Sequence, residues 1–284
     1  MTNQFLSREV ESLHTGMPVS DGAGVRLQRV LTQTLQHRLD PFLMLDEFGS
    51  DRPDDYIAGF PDHPHRGFET VTYMLEGRMR HRDSVGNEGV LGPGDVQWMT
   101  AGRGVVHSEM PEQEEGRMRG FQLWVNLPAR DKMTEPRYRG IAAADIPRFS
   151  PKHGIDIRVI AGELAGYQGA IRGIATDPLY LDVALDGDTA VDLPIAEGYH
   201  AFVYVYEGAA NIGTSGRAIE KGQLAVLDGA PEHAGVTVRT QTGARLLVIA
   251  GRPINEPIAQ WGPFVMNTRE ELEQAFHDYH NGLL

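Results

Sequence analysis

The sequence predicts an all-β protein built from antiparallel sandwiches or barrels, with one α-helix near its C-terminal end. Three observations lead to this prediction. Short runs that alternate apolar and polar residues recur along most of the chain, glycine and proline turns separate these runs, and a helical pattern is found only close to the end. Many short strands at such regular spacing are typical of an antiparallel sandwich or barrel.

The N-terminal half reads as a succession of strands with one loop, at residues 46–62, that is rich in Gly, Pro and Asp. Gly102 and Gly104 lack the third glycine and the helix of a dinucleotide-binding loop, so we interpret them as a sharp bend that turns His107 and Glu109 inward. The predicted strands are residues 25–31, 42–46, 69–77, 78–82, 96–99, 105–109 and 120–128.

The length of 284 residues predicts two domains, because it exceeds the usual size of one. Residues 136–152 are rich in proline, charged and small residues and are predicted to be a linker. It would join an N-terminal barrel at residues 1–135 to a C-terminal barrel at residues 153–284. Strand-like runs resume after the linker at residues 155–161, 179–183 and 199–206.

The chain ends in a predicted helix. Thr268 and Glu271 have the spacing of a capping box, and Gly282 can end the helix near Asn281. One face of this helix would be apolar and would pack against a barrel or a partner. That face consists of Leu272, Ala275, Phe276 and Tyr279.

The two halves repeat each other. Residues 73–77 (YMLEG) are echoed by residues 204–208 (YVYEG), an offset of 131 residues measured from Gly77 to Gly208. Residues 94–99 are echoed by residues 222–227, an offset of 128 residues measured from Gly94 to Gly222. Two similar offsets in the same order predict a duplicated strand-turn-strand unit.

Two short motifs are candidates for a metal site. His63 and His65 are two residues apart, as are His107 and Glu109, so in a strand each pair shares one face. Three imidazoles and one carboxylate suit Fe, Mn, Ni, Cu or Zn better than Mg or Ca. With 11 histidines in the chain, the alternative is that these are ordinary histidines. The repeat favours a separate functional set, because the corresponding positions of the second copy are Pro194, Ala196, Gly235 and Thr237.

Composition excludes several classes of function. The 39 acidic and 26 basic residues make direct nucleic-acid binding unfavourable, and the cluster of Arg78, Arg80, His81 and Arg82 is interpreted as a solvated strand face. The absence of cysteine excludes disulfides and thiolate ligands. Residues 1–9 show no basic leader, and no apolar run has membrane-spanning length, so a cytoplasmic protein without membrane contact is expected.

The motifs resemble those of the cupin barrels. The chain is similar, more specifically, to the pirin family of bicupins in residues 42–48, 63–77, 94–109 and 121–128. Many cupins place a glutamate five residues after the second histidine, but that position here is Thr70, with Glu69 beside it. The resemblance therefore implies that Glu109 is the carboxylate ligand. It also implies two tandem cupin barrels, of which the second is metal-free, and Fe(II) bound by His63, His65, His107 and Glu109, with Mn, Ni, Cu or Zn as alternatives.

The same resemblance implies quercetin 2,3-dioxygenase activity, in which a flavonol and O2 react, the heterocycle opens and CO is released. Glu109 would take the proton of the flavonol 3-hydroxyl. One alternative is a non-enzymatic regulator that senses metal redox state and binds a transcription factor or a metabolic enzyme, and another is a barrel with a different small-molecule substrate. Candidates for an aromatic-binding pocket, with core packing as the alternative role, are Phe60, Phe68, Met99, Phe121 and Trp124.

Overall fold

The computed structural model describes residues 5–284 and confirms the all-β fold class. Residues 1–4, part of the stretch examined for a leader, lie outside the described residues. The first strands are β1 Val10–Thr15, β2 Met17–Asp21, β3 Val25–Leu31, β4 Phe42–Ser50, β5 Phe60–His65, β6 Phe68–Glu76, β7 Met79–Asp83, β8 Glu88–Leu91, β9 Val96–Thr100, β10 Val105–Pro111, β11 Met118–Asn126 and β12 Arg137–Ile141.

The remaining strands are β13 Arg148–Phe149, β14 Ile155–Ala161, β15 Glu163–Leu164, β16 Tyr167–Gln168, β17 Leu179–Leu185, β18 Thr189–Pro194, β19 His200–Ile212, β20 Arg217–Glu220, β21 Gln223–Leu227, β22 Gly235–Thr240, β23 Ala244–Gly251, β24 Ala259–Trp261 and β25 Phe264–Met266. Helix α1 spans Arg269–His280. Short 3-10 helices are Gln33–Leu35, Pro53–Asp55, Ala129–Asp131 and Ala143–Asp145.

The chain forms two compact units that are not continuous in sequence. The histidine unit comprises Met17–His37, Phe42–Ala143 and Ile254–Leu284. The apolar-core unit comprises residues 5–16, Arg38–Pro41 and Ala144–Pro253.

These units differ from the predicted boundaries at both ends of the chain. Strand β1 pairs with β21 and belongs to the apolar-core unit, whereas α1 packs its buried Leu272 and Ala275 against Phe264 and Met266 of the histidine unit. The predicted linker also contains two short strands, since β12 pairs with β9 and β13 pairs with β14. The sequence pattern does not reveal these pairings, because an edge strand joins a sheet through backbone hydrogen bonds that any sequence can make.

The histidine unit contains two large antiparallel sheets and the two-stranded hairpin of β24 and β25. The seven-stranded sheet has the order β12-β9-β6-β11-β4-β3-β2, and the four-stranded sheet has the order β5-β10-β7-β8. In the apolar-core unit the main path is β1-β21-β19-β23-β17-β14-β13, and β18 pairs with β22. The core of that unit is a cluster of aliphatic side chains.

Strand pairing confirms the duplication predicted from the sequence. Tyr73 lies opposite Val96 where β6 pairs with β9, and Tyr204 lies opposite Leu224 where β19 pairs with β21. These pairs are related by the same two offsets as the sequence repeat. The two units therefore share a strand register as well as a residue pattern.

The C-terminal helix begins and ends as predicted. The Thr268 side chain accepts a hydrogen bond from the Glu271 amide, and the Glu271 carboxylate accepts one from the Thr268 amide, which completes the capping box. Asn281 is the C-cap. Tyr279 is 37% exposed, so the apolar face is only partly covered. In the part of the chain that the structure describes, no helix is long and apolar enough to cross a membrane.

The loop that follows the first histidine motif is fixed by close backbone contacts. Gly67 has φ +89°, and a Cβ there would lie 2.0 Å from the carbonyl oxygen of Val265. The buried Lys132 donates hydrogen bonds to the carbonyls of Gly67 and Val265 and to the side chain of Asn126. The segment that follows His65 is thus held against the β25 hairpin strand.

A buried acid, Glu69, lies on β6 with 3% of its surface exposed. Its Oε1 accepts a hydrogen bond of 2.7 Å from Thr100, and its Oε2 is buried without a hydrogen-bond partner among the described residues. Burial raises the pKa of the Glu69 carboxyl to about 7. The folded chain therefore favours the protonated form of this side chain.

Replacing Glu69 with Gln should flatten the pH dependence of stability. In the wild type the folded pKa of about 7 lies above the ordinary 4.5, so the stabilising contribution of the protonated carboxyl is lost as the pH rises through 7. Between about pH 5 and pH 8 the free energy of unfolding of the wild type should fall by about 2.5 kcal/mol because of this carboxyl, a fall that is absent in Glu69→Gln. Denaturant unfolding at several pH values measures this difference, with Glu273→Gln on the exposed face of α1 as the control. Parallel profiles for wild type and Glu69→Gln would contradict it.

Candidate metal centre

The two histidine motifs meet because β5 and β10 are neighbours in the four-stranded sheet. His63 lies directly opposite His107 in this antiparallel pair, and a register shift follows before Glu109. On the other side of β10, β7 places Asp83 opposite His107 and His81 opposite Glu109. The bend before β10 has Gly102 at φ +51° and Gly104 at φ +140°, backbone conformations that favour glycine.

Three imidazoles converge at this pairing. The rings of His63, His65 and His107 have centroids 4.4 to 4.9 Å apart, and one ligand nitrogen from each lies within 4.8 Å of the others. The His63 Nδ1 is 2.8 Å from the Pro61 carbonyl oxygen, to which it can only donate, so its Nε2 keeps the lone pair. This Nε2 lies 3.1 Å from the Nε2 of His65.

Burial keeps two of these rings neutral. Desolvation, reinforced by the neighbouring histidines, lowers the pKa of His65 and of His107 well below the ordinary value. Neutral imidazole is the form that binds metals. The Nε2 of His107 is buried and has no hydrogen-bond partner among the described residues, so its lone pair is available for a ligand bond.

Glu109 lies beside His107 and is held from the opposite sheet. Its Oε1 accepts hydrogen bonds from Thr72 at 2.8 Å and Gln97 at 3.2 Å, and its Oε2 accepts one from Gln122 at 3.0 Å. The carboxylate forms a second close group with His107 and His81, again within 4.8 Å. His107 is thus common to both groups.

His81 is a site residue that the sequence interpretation missed. It was assigned to a solvated face with its arginine neighbours, and Arg80 and Arg82 do pair with Glu88 at the surface. His81 itself has no exposed surface and contacts His107 and Tyr138. The alternation along β7 indicates that His81 is buried, because Met79 and His81 share one face of the strand and the arginines share the other.

No carboxylate reaches the site from position 70, which is a threonine, or from the neighbouring Glu69. Thr72, two residues beyond Thr70, reaches Glu109, so this face of β6 looks into the site. Glu69 points to the opposite face, where it contacts Thr100. A single-residue shift in a strand reverses the side of the sheet, which is why the neighbouring glutamate does not substitute.

A cavity of about 640 Å³ opens onto the site within the histidine unit. Phe60 and Trp124 line it, as do His63, His65 and Glu109. Three predicted pocket residues do not line it, because they are fully buried in packing elsewhere. These are Phe68, packed with Leu43 and Val265, Met99, packed with Ala101 and Val105, and Phe121, next to Tyr73.

The residues present fit a transition metal. Imidazole nitrogens, two of them buried without a hydrogen-bond partner among the described residues, stand next to a carboxylate that is held by three donors. Nitrogen donors with one carboxylate suit borderline first-row metals rather than Mg or Ca. The histidine and glutamate group of this unit can therefore bind a metal ion.

Family comparisons agree with this organisation. A model described as "Pirin" matches residues 24–125, and one described as "Pirin C-terminal cupin domain" matches residues 180–284. The chain belongs to the pirin family. The two matches lie one in each half of the chain.

Individual relatives extend along almost the whole chain. A Pseudomonas aeruginosa protein named "Putative quercetin 2,3-dioxygenase" is 53% identical over 98% of both chains. Human pirin is 44% identical over 92% of this chain and 89% of its own. A crystal structure of quercetin 2,3-dioxygenase from Acinetobacter baumannii is similar with a TM-score of 0.90 and 35% identity, covering 97% of this chain and 98% of that chain.

Replacing His63 with Ala should lower metal retention. His63 is predicted to be one of four ligands, and its loss leaves two imidazoles and a carboxylate that bind a first-row metal more weakly. Elemental analysis after anaerobic loading with Fe(II) and desalting measures the bound metal. His277→Ala, on an exposed part of α1, is the matched control and should retain metal. Equal metal content in both variants would reject His63 as a ligand.

Proposed function

We propose that this pirin-family chain is a metal-dependent dioxygenase that opens the heterocycle of a flavonol such as quercetin with O2. The observation that carries the proposal is that His63, His65 and Glu109 line one cavity together with the aromatic rings of Phe60 and Trp124. Three of the proposed metal ligands and the aromatic rings that would bind the substrate thus line the same cavity.

The cavity has the size and the lining of a small-molecule site. Its volume of about 640 Å³ lies within the usual range of roughly 300 to 1,000 Å³. Apolar and polar side chains both line the wall, and the polar groups would orient the hydroxyls of a flavonol. The apolar group includes Leu27, Leu43, Met44, Phe48 and Met79, and the polar group includes Arg29, Gln33, Gln36 and Gln260.

We propose that His63, His65, His107 and Glu109 hold Fe(II). When bound, the ion would supply a Lewis-acid centre for the flavonol oxygens and a redox partner for O2. Mn, Ni, Cu and Zn are the alternative ions for the same donor set.

Glu109 would also accept the proton of the substrate 3-hydroxyl. Three donors fix the plane of the carboxylate, so it does not need to reorient when the substrate enters. The residue is buried, with 2% of its surface exposed. Trp124 would contact the flat face of the substrate, and its ring is supported from behind by Phe68 at a centroid distance of 4.3 Å.

The names of two relatives support this substrate class, since quercetin appears in the names of the Pseudomonas aeruginosa protein and the Acinetobacter baumannii structure. The alternative, a regulator that binds a protein partner, needs the metal but no organic substrate. Turnover of a flavonol therefore separates the two functions.

The Fe(II)-loaded protein should consume quercetin aerobically, with loss of the flavonol absorbance and release of CO. Glu109→Gln should lower kcat by about 100-fold or more, because it removes both a proton acceptor and a ligand charge. Glu69→Gln is the matched control, since this buried glutamate faces away from the site and its replacement should leave kcat unchanged at pH 7. Metal-loaded wild type that neither bleaches quercetin nor releases CO would reject the dioxygenase function.

A further inference from the structure

We infer that His81 and Asp83 are positioning residues that fix the tautomer of His107 and so present its Nε2 lone pair to the metal. This inference rests on the proposed metal-dependent function and concerns two residues outside the proposed ligand set. Both lie on β7, which pairs with the strand that carries His107.

Three side chains form a continuous hydrogen-bonded row. The Nδ1 of His107 lies 3.3 Å from the Nδ1 of His81, and the Nε2 of His81 lies 3.3 Å from the Oδ2 of Asp83. The row begins at a carboxylate and ends at the buried Nε2 of His107, which has no hydrogen-bond partner in the part of the chain that the structure describes. It therefore leads from the β7 turn to the metal site.

The carboxylate sets the direction of every bond in this row. An ionised Asp83 only accepts, so the Nε2 of His81 carries the proton, and in the neutral ring the Nδ1 of His81 is left as an acceptor. The Nδ1 of His107 must then donate, which leaves its Nε2 deprotonated. Metal-binding histidines commonly donate their second ring N–H to such a partner, and this partner fixes the ring orientation.

Surrounding contacts hold the row rigid and dry. The Oδ1 of Asp83 accepts hydrogen bonds from the amides of Val85 at 3.1 Å and Asn87 at 2.8 Å, and its Oδ2 accepts one from the Asn87 side chain at 2.8 Å. His81 has no exposed surface, and Tyr138 stacks on its ring at 4.6 Å. Burial raises the pKa of Tyr138 to about 12, so this covering ring stays uncharged.

Asp83→Asn reverses the row without changing its shape. Because two backbone amides face Oδ1, the introduced amide should keep its oxygen there and turn its NH2 towards His81. The Nε2 of His81 then accepts, its Nδ1 donates, and His107 is left with its proton on Nε2. Affinity for metal should fall by about 10- to 100-fold, the usual cost of losing such a partner.

Two controls separate this effect from damage to the turn. The double variant Asp83→Asn with Asn87→Asp restores a hydrogen bond between the two side chains but still turns an NH2 towards His81, so its affinity should stay low. Asn87→Ser removes the same bond and leaves the carboxylate in place, so its affinity should equal that of the wild type. Recovery of affinity in the double variant would show that only the turn matters and would overturn the inference.

The measurement combines Co²⁺ titration of the metal-free chain, followed by absorbance, with ¹⁵N NMR of the histidine rings before metal is added. We expect the His107 proton on Nδ1 in the wild type and on Nε2 in Asp83→Asn. A wild-type proton on Nε2, equal affinities, or a second Co²⁺ bound at His81 and Glu109 would overturn the inference. None of these readouts needs turnover, so a failure of the proposed dioxygenase activity is seen separately in the quercetin assay.

Discussion

The antiparallel pairing of β5 with β10 is the interaction on which the site depends. The ladder of backbone hydrogen bonds places His63 opposite His107, although more than forty residues of chain separate them. The same strand β10 pairs with β7 on its other edge, so its side chains have neighbours from both sides. Gly102 and Gly104 allow the chain to enter β10 at the required angle. The four-stranded sheet therefore brings the imidazoles together.

The seven-stranded sheet contributes the second half of the arrangement. Thr72, Gln97 and Gln122 come from three neighbouring strands and direct their donors at Glu109. A buried carboxylate without such donors would be costly, so stability and function depend on the same hydrogen bonds. Burial opposes protonation of His65 and His107, and His107 retains a buried nitrogen without a hydrogen-bond partner among the described residues. A bound cation would compensate for that loss.

The two units share a strand register but differ in the side chains at equivalent positions. In the apolar-core unit, Pro194 lies opposite Gly235, as His63 lies opposite His107 in the histidine unit. The register is kept, but ligand-type side chains are replaced and the core is aliphatic. Helix α1, at the end of the chain, belongs to the histidine unit. Arg66, next to His65, forms a buried ion pair with Asp278 of this helix. The last helix thus supports the first motif.

The sequence by itself determined the local features: strand alternation, the capping box of α1, the repeat, and the paired spacing of both motifs. These follow from backbone periodicity, which is written in neighbouring residues. The noncontiguous units, the cavity wall and the burial of His81 depended on which distant strands cover each face, and Tyr138 came from a segment predicted to be a linker. Alternation tells which side chains share a face, but only long-range pairing decides which face becomes the interior.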